Sequence, residues 1–179
     1  MKASDLKVYQ DALVSAIEDM TVIYKAEVIN SGLVSKDSFT FDPNTTAGIA
    51  SVVGFSGKVK GRNLLWISSS LAILITEQVV GDTVSNYHDE MVLFTVNEIN
   101  NVVSGAAITE LNNLYQLSLR LSPPSIFAGG SFEIITPKAK SYEVEVNIKS
   151  DYYKKALSKG PQDHIVMNVA IEGSLDDEK

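Results

Sequence analysis

Glu98 and Asn101 stand three residues apart in the segment NEINNVVSGAA, Asn97 to Ala107. On a helix, side chains at this spacing are neighbours. A carboxamide both donates and accepts hydrogen bonds, so Asn101 can hold and aim a single water without titrating. The segment is a poor choice for stability alone. Asn is a mediocre helix former, and Gly105 in a helix interior costs roughly 1 kcal/mol relative to Ala. At about 100° per residue, Val92, Val96, Ile99, Val103 and Ala106 fall in one apolar sector. Phe94, Glu98, Asn101, Gly105 and Ile108 fall opposite, within about 40° of one line. The polar pair is therefore turned outward, and Gly105 leaves the backbone bare one turn later. Spacing alone favours a plainer alternative, a solvated helix face. The pattern Glu-x-x-Asn also occurs at Glu27/Asn30 and Glu110/Asn113. Only Glu98/Asn101 has a glycine four residues further on, a long helix beneath it and an apolar stripe opposite.

The elements that must carry this pair can be read from periodicity. Leu6 to Lys25 has a helical stripe at Leu6, Tyr9, Leu13, Ile17 and Met20, with Ser4 or Asp5 as a cap. Ser31 to Thr46, rich in Ser, Thr, Gly, Asn and Pro, reads as loop. Ile49–Phe55 and Asn63–Ser68 flank a glycine-rich turn and read as a hairpin. A short helix, Leu71–Val80, is capped by Ser69 or Ser70 and stopped by Gly81. The long helix runs from about Asp89 to Tyr115. SLRLSPPSIFAGGSFEI reads as a strand, a Pro-Pro break and a glycine turn. Tyr142, Val144, Val146 and Ile148 alternate with Glu143, Glu145, Asn147 and Lys149, the pattern of a half-buried strand. His164–Gly173 reads as another strand, and DYYKKALSKGP between them as a loop or helical turn. Strands and helices are grouped, which predicts an α+β fold, an antiparallel or mixed sheet packed against long helices. The expected organisation is one domain, residues 1–173, with an acidic tail, residues 174–179.

Composition narrows the function. The 179 residues carry a net charge of −7, which argues against nucleic acid, since phosphate neutralisation needs clustered Lys and Arg. The chain has no cysteine, so no thiolate nucleophile, disulfide or Cys-ligated metal is available. The N-terminal stretch is interrupted by charges and lacks the apolar run of a signal peptide. The expectation is a cytoplasmic protein with no membrane span. His88 and His164 have no metal-like spacing. Gly54, Gly57 and Gly61 match no phosphate-loop pattern and read as a turn between strands. Ser104 has no His or Lys at a recognisable spacing for a nucleophile. Trp66, Tyr152 and Tyr153 read as packing residues.

The segment NEINNVVSG resembles the E-x-x-N signature helix of the CheC/CheX/FliY family, which dephosphorylates the chemotaxis response regulator CheY. GFSGKVKGRNLLWISSSLAILITEQVVG resembles the family's hairpin and short helix before the signature. LSPPSIFAGGSFEI resembles its proline-then-glycine segment, with Pro124 as the matching proline. The resemblance covers roughly residues 8 to 173. A single signature and the chain length point to the CheX branch. The resemblance implies a phosphatase acting on a phosphorylated CheY-like receiver domain. Asn101 would enter the receiver's active site and orient the water, and Glu98 would pair with a lysine beside the phospho-aspartate. The Mg²⁺ would belong to the partner, with no cofactor or metal in this chain. Gly105 would allow close approach. Family members often carry Ser or Asp four residues before the Glu, where this chain has Phe94. Phe94 either anchors the partner or, the preferred alternative here, packs on a neighbouring element. The resemblance also implies a homodimer joined through β-strands. The expected contact is the C-terminal β region, Tyr142 to Ile171, with Ser150–Gln162 long enough to let a strand reach a second protomer. The alternative function is a non-catalytic signalling or flagellar-switch binding module of the same fold.

Overall fold

The structure, a computed structural model, describes residues 3–20, 25–34, 38–41, 47–129, 132–149 and 164–172. A 3₁₀ turn, Ala3–Leu6, leads into α1, Lys7–Met20, whose Tyr9, Leu13, Ala16 and Ile17 are buried. The strands β1 (Lys25–Val34), β2 (Ser38–Phe41), β3 (Gly48–Ser56) and β4 (Lys60–Ser68) follow. Two helices come next, α2 (Ser69–Val80) and α3 (Glu90–Tyr115). After them come β5 (Arg120–Leu121), β6 (Ser125–Gly129), β7 (Phe132–Ile135), β8 (Ala139–Lys149) and β9 (His164–Glu172).

Seven strands form one sheet in the order β1-β8-β9-β4-β3-β5, with β6 also on β3, and every pairing is antiparallel. β5 and β6 lie end to end along β3, separated by Pro123 and Pro124. Neither proline could donate to the ladder, so the break falls where pairing is interrupted. Alternation divides the sheet into two faces. Ile49, Leu65, Ile67, Val144, Ile165 and Met167 turn toward α1, α2 and α3 and form the main core. Ala50, Leu64, Trp66 and Val166 turn the other way, where Phe39 and Ile134 of the β2/β7 ribbon cover them. Each large aliphatic side chain fully buried in this way stabilises the fold by about 1.5–3 kcal/mol.

The structure revises four local expectations. The N-terminal helix ends at Met20, and Lys25 already opens β1 rather than closing a helix. β1 escapes notice in the sequence because its register shifts between Val28 and Asn30. A bulge of this kind breaks the period of two on which strand recognition rests. Residues 31–34 and 38–41, expected as loop, are strand because β8 and β7 offer them partners. Ser68, not Ser69 or Ser70, caps α2, and its hydroxyl accepts from the Leu71 amide at 3.4 Å. Gly81 ends α2 in the left-handed region, φ 74°, as its position required. Finally, β8 and β9 are interior strands, each paired on both sides. The dimer contact expected over Tyr142 to Ile171 therefore has no unpaired strand edge among the described residues, and the sheet edge beside it is β1. The stretch 150–163 lies outside the described residues, as do Tyr152, Tyr153 and the acidic tail.

Candidate active site

α3 is fixed at both ends. Asp89 caps its start, the carboxylate accepting from the Met91 amide at 2.9 Å, where a negative charge also favours the helix dipole. At its end Gln116 turns into the left-handed region, φ 51°. The Asn112 carboxamide then clamps the departing chain, accepting from the Leu119 amide at 2.7 Å and donating to the Leu119 carbonyl at 3.1 Å. By length and composition α3 could cross a membrane, but half of its apolar window is buried inside this fold. Its apolar content is accounted for by packing on α1, α2 and the sheet.

The helix sorts its polar residues by face. Val92, Val96, Ile99 and Val103 are buried, as the wheel requires. Phe94 is 64% exposed, Asn101 is exposed and Glu98 is half-buried. Among the described residues neither Glu98 nor Asn101 has a side-chain hydrogen bond or ion pair. An added Cβ at Gly105 meets nothing within 4 Å, so the surface there is open. Met91 (46% exposed) and Val102 (42%) add apolar surface beside the pair. Two placements need correction. Ala106, expected in the core, is exposed, and Ile108, expected outward, is buried. Each i,i+4 step overshoots a full turn, so over 26 residues a straight stripe drifts round the helix. α1 packs along α3, and toward the C-terminal end of α3 Ala107, Ile108 and Leu111 become the buried set. Phe94, expected to pack on a neighbouring element, is largely exposed and outside the core cluster of the described residues.

The remaining asparagines of NEINN face inward. Asn97 accepts from the Ser51 hydroxyl at 2.8 Å. Asn100, fully buried, donates to the Ser51 carbonyl at 2.8 Å and to its hydroxyl at 3.1 Å. The Ser104 hydroxyl donates to the Asn100 carboxamide at 3.2 Å and accepts from Asn63 at 2.8 Å. Ser104 is thus a structural hydroxyl and not a nucleophile. Beyond Asn63 lies Tyr9, whose phenol burial pushes well above its ordinary value, an effect the Asn63 side chain partly offsets. The sequence signal for this layer is polar residues at inward registers: Ser51 between Ile49 and Val53, and Asn63 before Leu65.

The other Glu-x-x-Asn pairs are differently placed. Glu27 and Asn30 flank the bulge in β1, and Glu110 and Asn113 are exposed on α3 beyond the open surface at Gly105. Gly57 and Gly61 belong to the β3–β4 hairpin. A Cβ at Gly57 would press on the Ser118 and Leu117 carbonyls, and one at Gly61 on the Ala170 carbonyl and the Phe55 ring. His88 packs on Tyr87 with ring centroids 4.1 Å apart, and His164 opens β9 opposite Asn147. Among the described residues no three His, Asp or Glu side chains group as metal ligands. Trp66 is buried, as expected, though on the sheet face away from the helices.

An antiparallel sheet backed by long helices is a fold this chain shares with CheC-like chemotaxis proteins. A CheC-like superfamily protein from Shewanella sp. PV-4 matches with a TM-score of 0.74 and 17% identity, covering 97% of this chain and 100% of that one. The sequence profile of the family described as Chemotaxis phosphatase CheX matches residues 49–147, more than half of the chain. The chain belongs to the CheX family. The CheY-P phosphatase CheX of Thermotoga maritima is 24% identical over 86 residues, 48% of this chain and 55% of that protein. This chain therefore spans about half the length of that relative. CheX in the CheX-CheY-BeF₃-Mg²⁺ complex from Borrelia burgdorferi matches with a TM-score of 0.72 and 21% identity, covering 94% of this chain and 97% of that one.

Proposed function

We propose that the chain is a phosphatase that hydrolyses the aspartyl phosphate of a CheY-like receiver domain. The observation that carries this reading is the sorting of α3. Of four clustered polar side chains, Asn97 and Asn100 hydrogen-bond to Ser51, while Glu98 and Asn101 have no partner among the described residues. Membership of the CheX family, the activity named for the Thermotoga relative and the receiver complex of the Borrelia protein support it.

In this mechanism Asn101 enters the receiver's site and its carboxamide holds a water in line with phosphorus. The water oxygen bonds to phosphorus, the bond to the aspartyl oxygen breaks, and the products are the free carboxylate and inorganic phosphate. Such transfers depend mainly on positioning and charge stabilisation. Glu98 docks on a lysine of the receiver, and Phe94 and Gly105 line the contact. The magnesium belongs to the receiver, and the shared compartment is the cytoplasm. The test is direct: incubate the protein with a phosphorylated receiver and follow phosphate release. A rate no faster than the receiver's own dephosphorylation overturns the reading and leaves the non-catalytic binding module in its place.

Gly105 supplies a further prediction. Gly105→Ala should stabilise the chain by about 1 kcal/mol, the helix-propensity difference, as read by urea denaturation. Gly105→Phe should also fold, since the space is open, yet raise the KM for the phosphorylated receiver about tenfold or more, equivalent to about 1.4 kcal/mol of lost contact.

We also propose a homodimer, now through β1. Among the described residues no strand pairs with its outer edge, and Ile29 and Leu33 in it are 54% and 44% exposed. An unpaired edge is a template for a second strand, and a two-fold contact is the commonest homo-oligomer solution. Light scattering at micromolar concentration should give twice the monomer mass of 19.4 kDa. A proline at Ser31, inside the edge strand, should return the mass toward the monomer.

A further inference from the structure

We infer that Asn100, anchored on Ser51, is a positioning residue that sets the rotation of α3 and so keeps Glu98 and Asn101 on the exposed face. For its rate readout this inference rests on the phosphatase reading. The geometry carries it. Asn100 precedes Asn101 directly, so about 100° of helix rotation separates their side chains. A slip of one residue in what Asn100 grips would carry Asn101 off the open face.

The grip is double and directional. Asn100 Nδ2 donates to both the Ser51 carbonyl and its hydroxyl, and that hydroxyl in turn donates to Asn97 Oδ1. One residue of β3 thus holds the helix positions on either side of Glu98. Asn100 Oδ1 accepts from Ser104, one turn on, and Ser104 is held by Asn63 on the adjacent strand β4. Ser51, Asn63, Asn100 and Ser104 are all fully buried. Each hydroxyl in the chain donates once and accepts from a carboxamide. Apolar packing at Val96, Ile99 and Val103 holds the helix down but tolerates small rotations, because dispersion contacts are not directional. Directional bonds on two strands do not tolerate them.

The double variant Ser51→Ala/Asn100→Leu tests this. Removing both partners avoids most of the penalty of stranding one buried polar group, and the Ser104 hydroxyl can turn to a carbonyl of its own helix. The expected result is a folded protein whose kcat toward the phosphorylated receiver falls about tenfold to a hundredfold, the scale of a misplacement near 1 Å. KM should rise several-fold as well, because Glu98, the docking carboxylate, turns with the same helix. Amide exchange of residues 97–104 should accelerate, and the Asn101 side-chain amide resonance should shift. If the double variant does not fold, Ser51→Ala alone, the loss of one oxygen, gives the same readouts. Wild-type kcat per folded molecule together with an unmoved Asn101 resonance overturns the inference, even where stability drops. If the wild type releases no phosphate, the functional reading fails by itself, and exchange and the Asn101 resonance still decide the positioning role.

Discussion

Asn101→Ala is expected to lower phosphate release from a phosphorylated receiver by at least about 100-fold, to near the receiver's own rate. A water that is no longer aimed loses the orientation that an active site supplies, and misplacement on the scale of 1 Å costs about that much. Stability should change by no more than about 0.5 kcal/mol, because Asn101 is exposed and has no partner to strand among the described residues. Binding to the receiver should hold within a few-fold. Asn101→Asp, nearly the same in shape, should not restore the rate, because a carboxylate accepts but cannot donate and would meet a phosphoryl group of like charge. The measurement is stopped-time phosphate release at saturating receiver, with a urea titration on the same preparation. A folded Asn101→Ala variant with wild-type turnover ends the water-aiming role.

Glu98→Ala should have the opposite profile. If the carboxylate docks on a buried receiver lysine, its loss costs roughly 2–5 kcal/mol of binding, about thirtyfold to several thousandfold in Kd. Turnover at saturating receiver should fall far less than KM rises. Titration against a receiver held by beryllofluoride and magnesium reads the affinity directly. Moderate salt should weaken the wild type more than the variant, since the docking charge is gone. Equal affinities for wild type and Glu98→Ala would remove Glu98 from the interface. A non-catalytic module would lose binding on Glu98→Ala but show no phosphate release in any form, so the pair of variants also separates the two functions.

Much of this protein was legible in the sequence because it depends on local rules. The strand that became β8 alternates in hydrophobicity, those that became β3 and β4 are β-prone runs about a glycine-rich turn, and the Gly81 stop and the Asp89 start follow from backbone freedom and capping. The outward placement of Phe94, Glu98, Asn101 and Gly105 needed only the helix period, and the motif around them carried the family resemblance. What stayed hidden was set by neighbours distant in the chain. β1 contains a bulge and is strand only because β8 lies beside it. β2 reads as loop by composition and is strand because β7 pairs with it above Trp66. Ala106 and Ile108 exchanged faces because the stripe drifts round α3 and α1 packs along it, a contact no helical wheel contains. The sheet edge proposed for the dimer moved from the C-terminal strands to β1 once the strand order was known. The division of NEINN into two gripping and two presenting side chains is the same kind of fact. The sequence determines that a carboxylate and a carboxamide face outward together. Only the tertiary structure sets Ser51 and Asn63 beneath them, because hydrogen bonds across 41 to 49 residues exist only when sheet and helix are already packed.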